Sequence, residues 1–101
     1  SATANAEMKQ RARVDKNHQE IVRCLKTLGC TVLSLHAMGR GVPDLLIGYQ
    51  GHCYLVEVKD KRGGLNAVQK EWHQAWNTPV YVVKTTIECV NLLNSLRSNN
   101  G

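Results

Sequence analysis

GVPDLLIGYQGHCYLVEVKD, residues 41–60, decides the fold. Two runs of branched and aromatic residues flank Gln50 and Gly51, the pattern of two strands folded back on each other. With Gln50 and Gly51 as a two-residue loop, Tyr49 pairs with His52, Ile47 with Tyr54, Leu45 with Val56, and Asp44 with Glu57. Gly51 suits a primed turn and Gln50 is a weak choice for one, yet a longer loop centred on the same point keeps the pairing. A one-residue slip, or a bulge at Gly48, would instead send the two acids to opposite faces. Side-chain alternation gives Leu45, Ile47, Tyr54, Val56 and Val58 to a core face. Asp44, Leu46, Cys53, Leu55, Glu57 and Lys59 fall on the other face, which is apolar toward the loop and charged at the far end.

Paired β-carbons lie about 4.5–5.5 Å apart, and like charges at that distance repel. A bound divalent cation offsets the repulsion, because a hard metal such as Mg²⁺ takes one or two carboxylates together with waters and phosphate oxygens. Glu57 and Lys59 project the same way, roughly 6.6 Å apart along the strand. The expected site therefore has Asp44 and Glu57 as ligands of Mg²⁺ or Mn²⁺, with the backbone carbonyl near Val58 as a further ligand. Lys59 would hold or help deprotonate the attacking water and balance phosphate charge. Metal-assisted phosphodiester hydrolysis uses all of these groups and calls for no small-molecule cofactor. The plainer reading makes Asp44 a turn residue after Pro43, and Glu57 and Lys59 a surface ion pair of an edge strand. Val56 and Val58 beside them argue against a solvated edge.

The chain of 101 residues is sized for one domain with one hydrophobic core. Leu, Ile and Val must supply that core, since there is no Phe and there are only two Trp and three Tyr. No apolar run approaches the ~20 residues of a membrane span, and no signal-peptide order is present, so a cytoplasmic setting in a bacterial or phage-infected cell is expected, without a membrane partner. Cys24, Cys30, Cys53 and Cys89 show no zinc or redox spacing and read as reduced thiols. Thirteen Lys and Arg against eight Asp and Glu give a net charge of +5, which suits a polyanionic partner held through its phosphates.

Along the chain, residues 1–14 open with SATANAEM and continue as a flexible, moderately basic arm, residues 15–97 form the single domain, and residues 98–101 a disordered tail. Asn17 with Glu20 can cap a first helix, Asn17 to Leu28, which Gly29 ends. Thr31 to Leu35 reads as a strand and His36 to Val42 as a mobile loop before the hairpin. Asn66 with Gln69 opens a second helix through Val68, Trp72 and Trp76. Val80 to Val83 has the pattern of a strand buried on both faces, and Thr85 with Glu88 opens a last helix through Leu96. The order is α-β-β-β-α-β-α, an α/β class with a mixed sheet flanked by helices.

Gly41-Val-Pro-Asp-Leu45, Val56-Glu-Val-Lys59 and Leu65-Asn-Ala-Val-Gln69 together resemble the PD-(D/E)xK nuclease superfamily, and within it the virus-type replication-repair nuclease domain, VRR-Nuc. The resemblance covers about residues 17–83. It implies a restriction-endonuclease-like core and a metal-dependent endodeoxyribonuclease. It implies further that Glu20 is an accessory acid near the metal, directly or through water, and that Gln69 helps position the water or the metal shell. Both residues are equally explained as helix-capping partners. Small members of this kind are homodimers that cut branched DNA such as Holliday junctions in repair, so branched DNA and a second copy are the partners implied.

Arg40, between Gly39 and Gly41, and Lys61, Arg62 and Lys70 near the same end of the sheet are the candidate phosphate contacts; their plain alternative is solvated surface charge. Trp72 and Trp76, on one face with Val68, are expected in the core or at a dimer contact rather than as stacking platforms for bases. His18, His36, His52 and His73 show no ligand spacing; His36, near the loop, is placed where it could touch substrate, but a bystander role is expected for it as for the others. Two other classes compete with the enzyme: a noncatalytic nucleic-acid-binding module on the same fold, and an interaction domain using its apolar last helix.

Overall fold

A computed structural model of the protein describes residues 16–100, built around the hairpin of β2 (Leu45–Tyr49) and β3 (His52–Val58). Gln50 and Gly51 both take positive φ, 49° and 82°, as a type I′ turn requires, so the unfavourable Gln50 is carried by its neighbour's freedom. The register is the symmetric one: Tyr49 opposite His52, Ile47 opposite Tyr54, Leu45 opposite Val56. β1 (Thr31–Ser34) pairs antiparallel with β2, and β4 (Val80–Val83) pairs parallel with β3. The result is a four-stranded mixed sheet in the order β1-β2-β3-β4. The basic arm, residues 1–14, lies outside the described residues.

α1, helical over 16–27, ends in a Schellman arrangement: Gly29 takes φ +101°, the Cys30 N–H donates to the Leu25 carbonyl and the Gly29 N–H to that of Lys26. α2 (Ala67–Ala75) begins at the reciprocal Asn66–Gln69 capping box. α3 (Thr86–Asn100) starts with the Glu88 N–H donating to Thr85 Oγ1, but the Glu88 side chain accepts from the Lys84 N–H, so only half of the expected box is present. Residues 98–100 continue this helix where a disordered tail was expected. The segment expected as a mobile loop contains a short 3₁₀ turn, His36–Met38. No helix among the described residues is long and apolar enough to cross a membrane.

The core lies on one face of the sheet. Ile21 and Leu25 of α1 and Cys89, Leu93 and Leu96 of α3 close over Leu45, Ile47, Val56 and Val83, all buried. Cys24, Cys30, Cys53 and Cys89 are free thiols. The other face is more open than the sequence suggests. Val82 is 38% exposed, because β4 is an edge strand with only one covered face, not a strand buried on both. α2 buries none of its residues, and Trp76, 48% exposed, stacks on Trp72 with ring centroids 4.8 Å apart instead of entering a core.

Candidate active site

Asp44 stands one residue before β2 and Glu57 one residue from the end of β3, facing each other where the ladder runs out. The two acids interlock. The Asp44 N–H donates to Glu57 Oε2 at 3.1 Å, and the Val58 N–H donates to Asp44 Oδ2 at 2.9 Å. Each carboxyl group thus gives one oxygen to the opposite backbone and keeps one back. Asp44 Oδ1 faces His36 Nδ1 at 3.9 Å, whereas Glu57 Oε1 is buried without a hydrogen-bond partner.

Glu57 is 0% exposed, the one charged residue buried among those described. Burial first, then the hydrogen bond and charge of Asp44, push its carboxyl up to about 8; the Lys59 charge and the Asp44 N–H oppose this less strongly. Glu57 therefore keeps its proton at neutral pH as long as nothing else neutralises it.

The Val58 carbonyl completes an oxygen set. The Lys59 N–H donates to the Val83 carbonyl on β4, so by alternation Val58 turns toward β2, where its N–H meets Asp44. The next ladder partner there is Pro43, which has no N–H to offer. Asp44 Oδ1, Glu57 Oε1 and the Val58 carbonyl are hard oxygen donors, the chemistry that suits Mg²⁺ or Mn²⁺. The buried Oε1 without a partner is what a cation would satisfy. Among the described residues no three His, Cys, Asp or Glu side chains converge, so water and phosphate oxygens would fill the remaining positions.

Lys59 sits half-buried just beyond β3. Asn17 does not cap α1: it lies inside the helix, and its Nδ2 donates to the carbonyls of Lys59, at 3.1 Å, and Lys84, at 3.2 Å. α1 thereby ties the ends of β3 and β4 together beneath the backbone of Lys59.

A cleft of about 330 Å³ opens beside Asp44, between His36, Arg40 and Gly41 on one side and Asn66, Val68 and Gln69 on the other. Gly39, Arg40 and Gly41 all take positive φ, 61°, 55° and 84°. Gly41 packs so tightly on α2 that a Cβ there would lie 2.6 Å from the Val68 carbonyl oxygen.

Gln69 completes the capping box, its Oε1 accepting from the Asn66 N–H, and the residue also lines the cleft with Asp44. Glu20 stands apart. It is exposed on α1, has no Asn17 cap to complete, and does not join Asp44 and Glu57. Arg40 lines the cleft, and Lys61, Arg62 and Lys70 are exposed, with the Arg62 N–H bonded to Asp60 Oδ1 in the turn after Lys59. Two histidines that spacing marked as bystanders lie at the site. His36 faces Asp44, and His73, one helical turn beyond Gln69, feels the Lys59 charge. The loop position marks His36 as able to touch substrate, whereas only the i+4 spacing from Gln69 could have signalled His73. No family model, curated protein or solved structure matches this chain.

Proposed function

We propose that the protein is a divalent-metal-dependent endonuclease of the PD-(D/E)xK kind, hydrolysing phosphodiester bonds of DNA. One observation carries this reading: Asp44 and Glu57 each hold back one oxygen, Oδ1 and Oε1, at the same end of the sheet as Lys59. Asp44, Glu57 and the Val58 carbonyl would hold the cation. When bound, Mg²⁺ or Mn²⁺ supplies a lowered pKa for water and neutralises charge on the phosphate.

The chain's own groups do the rest. The reciprocal backbone bonds fix the two carboxyl groups before substrate arrives, which avoids reorganisation during the reaction. The Lys59 ammonium offers charge and a proton donor to a phosphate oxygen or to water. The cleft with Arg40 and His36 accommodates the sugar-phosphate chain next to Asp44. A net charge of +5 favours approach of a polyanion, and the exposed Lys61, Arg62 and Lys70 extend the contact. Branched DNA, and a second copy of the chain to cut its second strand, follow from the resemblance to VRR-Nuc proteins.

A second reading has its own support. A protonated Glu57 bonded to Asp44 is a stable lock without any cation, as a noncatalytic DNA-binding module would need. Labelled four-way, flap and linear DNAs, incubated with Mg²⁺ or Mn²⁺, separate the two. The nuclease cuts at least one of them and Asp44→Ala does not, while still binding DNA. Equal traces for the two proteins would leave only the binding module.

A further inference from the structure

α1 borders a second hollow, apart from the cleft beside Asp44. It measures about 550 Å³ and runs between α1 and the end of β1, with His18, Val22, Arg23 and Lys26 along the helix and Ser34 on the strand. Glu20, the one acid of α1, does not line it. The hollow and the cleft share a wall. Ser34 lines the first and His36 the second, and between them the Leu35 N–H donates to the Asp44 carbonyl at 2.7 Å. The His36 N–H reaches back to Ser34 Oγ at 3.4 Å, which folds this step upon itself.

We propose that the hollow binds an unpaired DNA strand, an arm that leaves the cleft past His36 and Ser34 and lies along Arg23 and Lys26. The proposal rests on the reading that DNA occupies the cleft, and it deepens that reading: the preferred substrate carries a single-stranded arm next to the phosphate that is cut. Charge favours this occupant, because two permanent cations line the hollow and no Asp or Glu does. Surface chemistry favours an unpaired strand. Val22 and the aliphatic stems of Arg23 and Lys26 offer apolar area, and a guanidinium plane stacks on a base face, which a duplex keeps inside its own stack. The path favours it too. Ser34 pairs with Leu45 of the core face, whereas Asp44, the residue before Leu45, points the other way by alternation. A chain passing from cleft to hollow therefore changes sides of the sheet over the step from His36 to Ser34, roughly 6.6 Å of strand. Duplex DNA, with a persistence length of about 50 nm, resists so tight a turn, and a single strand does not.

The test compares the full chain with an Arg23→Gln, Lys26→Gln double variant, and measures binding in Ca²⁺ to an oligo-dT strand, a flap DNA with an oligo-dT arm, and a blunt duplex. Both side chains are exposed, so the melting temperatures of the two proteins should match. The variant should lose about tenfold or more in affinity for the strand and the flap, through lost stacking and phosphate contacts, and stay within about twofold of wild type on the blunt duplex. For the strand, the slope of log affinity against log salt should fall by about 1.4, two phosphate contacts at about 0.7 each. 5-Iododeoxyuridine placed in the arm should crosslink to α1 under light.

Equal affinity of the two proteins for the arm overturns the proposal. So does the same loss on all three DNAs, which marks general surface charge, or a crosslink confined to other elements. A variant that loses affinity for polyglutamate and keeps it for the strand assigns the hollow to an acidic protein segment, and the proposal falls. Failure of the nuclease reading looks different. A wild type that cuts none of the DNAs with Mg²⁺ or Mn²⁺, yet binds the arm through Arg23 and Lys26, keeps the hollow and loses the hydrolase. A wild type that cuts flaps, matched by the variant in both binding and cutting, keeps the hydrolase and loses the hollow.

Discussion

The amide of Asp44 is bonded to the side chain of Glu57, and the amide next to Glu57 is bonded to the side chain of Asp44. Side chains thus take over the ladder at the point where Pro43 ends it. Two acids that repel as bare charges are held face to face by backbone donors and by a proton on Glu57. On the nuclease reading proposed above, that proton is what a cation would replace.

This exchange has a pH signature. The Glu57 carboxyl, ordinarily near 4.5, is raised to about 8 by burial and by Asp44, so between those values the folded chain binds more protons at this site than the unfolded one. The stability associated with it is complete below 4.5 and is lost as pH rises through about 8. Metal-free wild type should therefore lose more stability than Glu57→Gln between pH 5 and pH 8 (by on the order of a few kcal/mol). Mg²⁺ or Mn²⁺ should restore wild type at pH 8 and leave Glu57→Gln unmoved. Thermal melts of both proteins across that range check it, and parallel curves would show that Glu57 is not the group responsible.

Asn17→Ala should destabilise the fold by about 1–3 kcal/mol, since it leaves the Lys59 and Lys84 carbonyls without their donor. Urea midpoints measure the loss. Cleavage by the folded variant should also slow, because the backbone that carries Lys59 is freed at the same time.

Gly41→Ala should act on the loop. Its φ of +84° is unfavourable for alanine, and the added methyl would meet the Val68 carbonyl at 2.6 Å. A loss of about 1–3 kcal/mol is expected. Displacement of Arg40 from the cleft should weaken DNA binding as well, which gel-shift titrations in Ca²⁺ would show; an unchanged affinity would mean that this loop does not touch DNA.

Arg40→Ala, Lys61→Ala, Arg62→Ala and Lys70→Ala should each weaken binding about equally across DNA sequences. The slope of log affinity against log salt should fall by about 1 for each phosphate contact removed. A variant with an unchanged slope carries solvated surface charge and nothing more.

The order of elements and the hairpin register were legible because several local signals agreed. Alternation from Leu45 to Val58, a glycine in the turn and a capping box at Asn66 all point to one answer. Asn17 was not legible in this way. Asparagine followed by glutamate three residues on is a cap in local terms, and only the folded sheet supplies the two distant carbonyls that claim its amide. The Val68, Trp72 and Trp76 stripe failed for a related reason. Periodicity shows that a helix has an apolar face but not that anything covers it, and α2 leaves that face largely open. That Asp44 and Glu57 face each other was legible from the register. His36 was read as lying near the loop, yet its approach to Asp44 was not legible, because the two come from separate elements.

A buried acid with one oxygen unmatched is a defect in an otherwise well-packed sheet, tolerated where activity requires it. A laboratory selection for heat resistance alone, run without divalent ions, should accordingly discard the acid at position 57 early, in favour of amides or apolar residues of similar shape. Retention of Glu57 under that regime would mean that the residue contributes to folding on its own account.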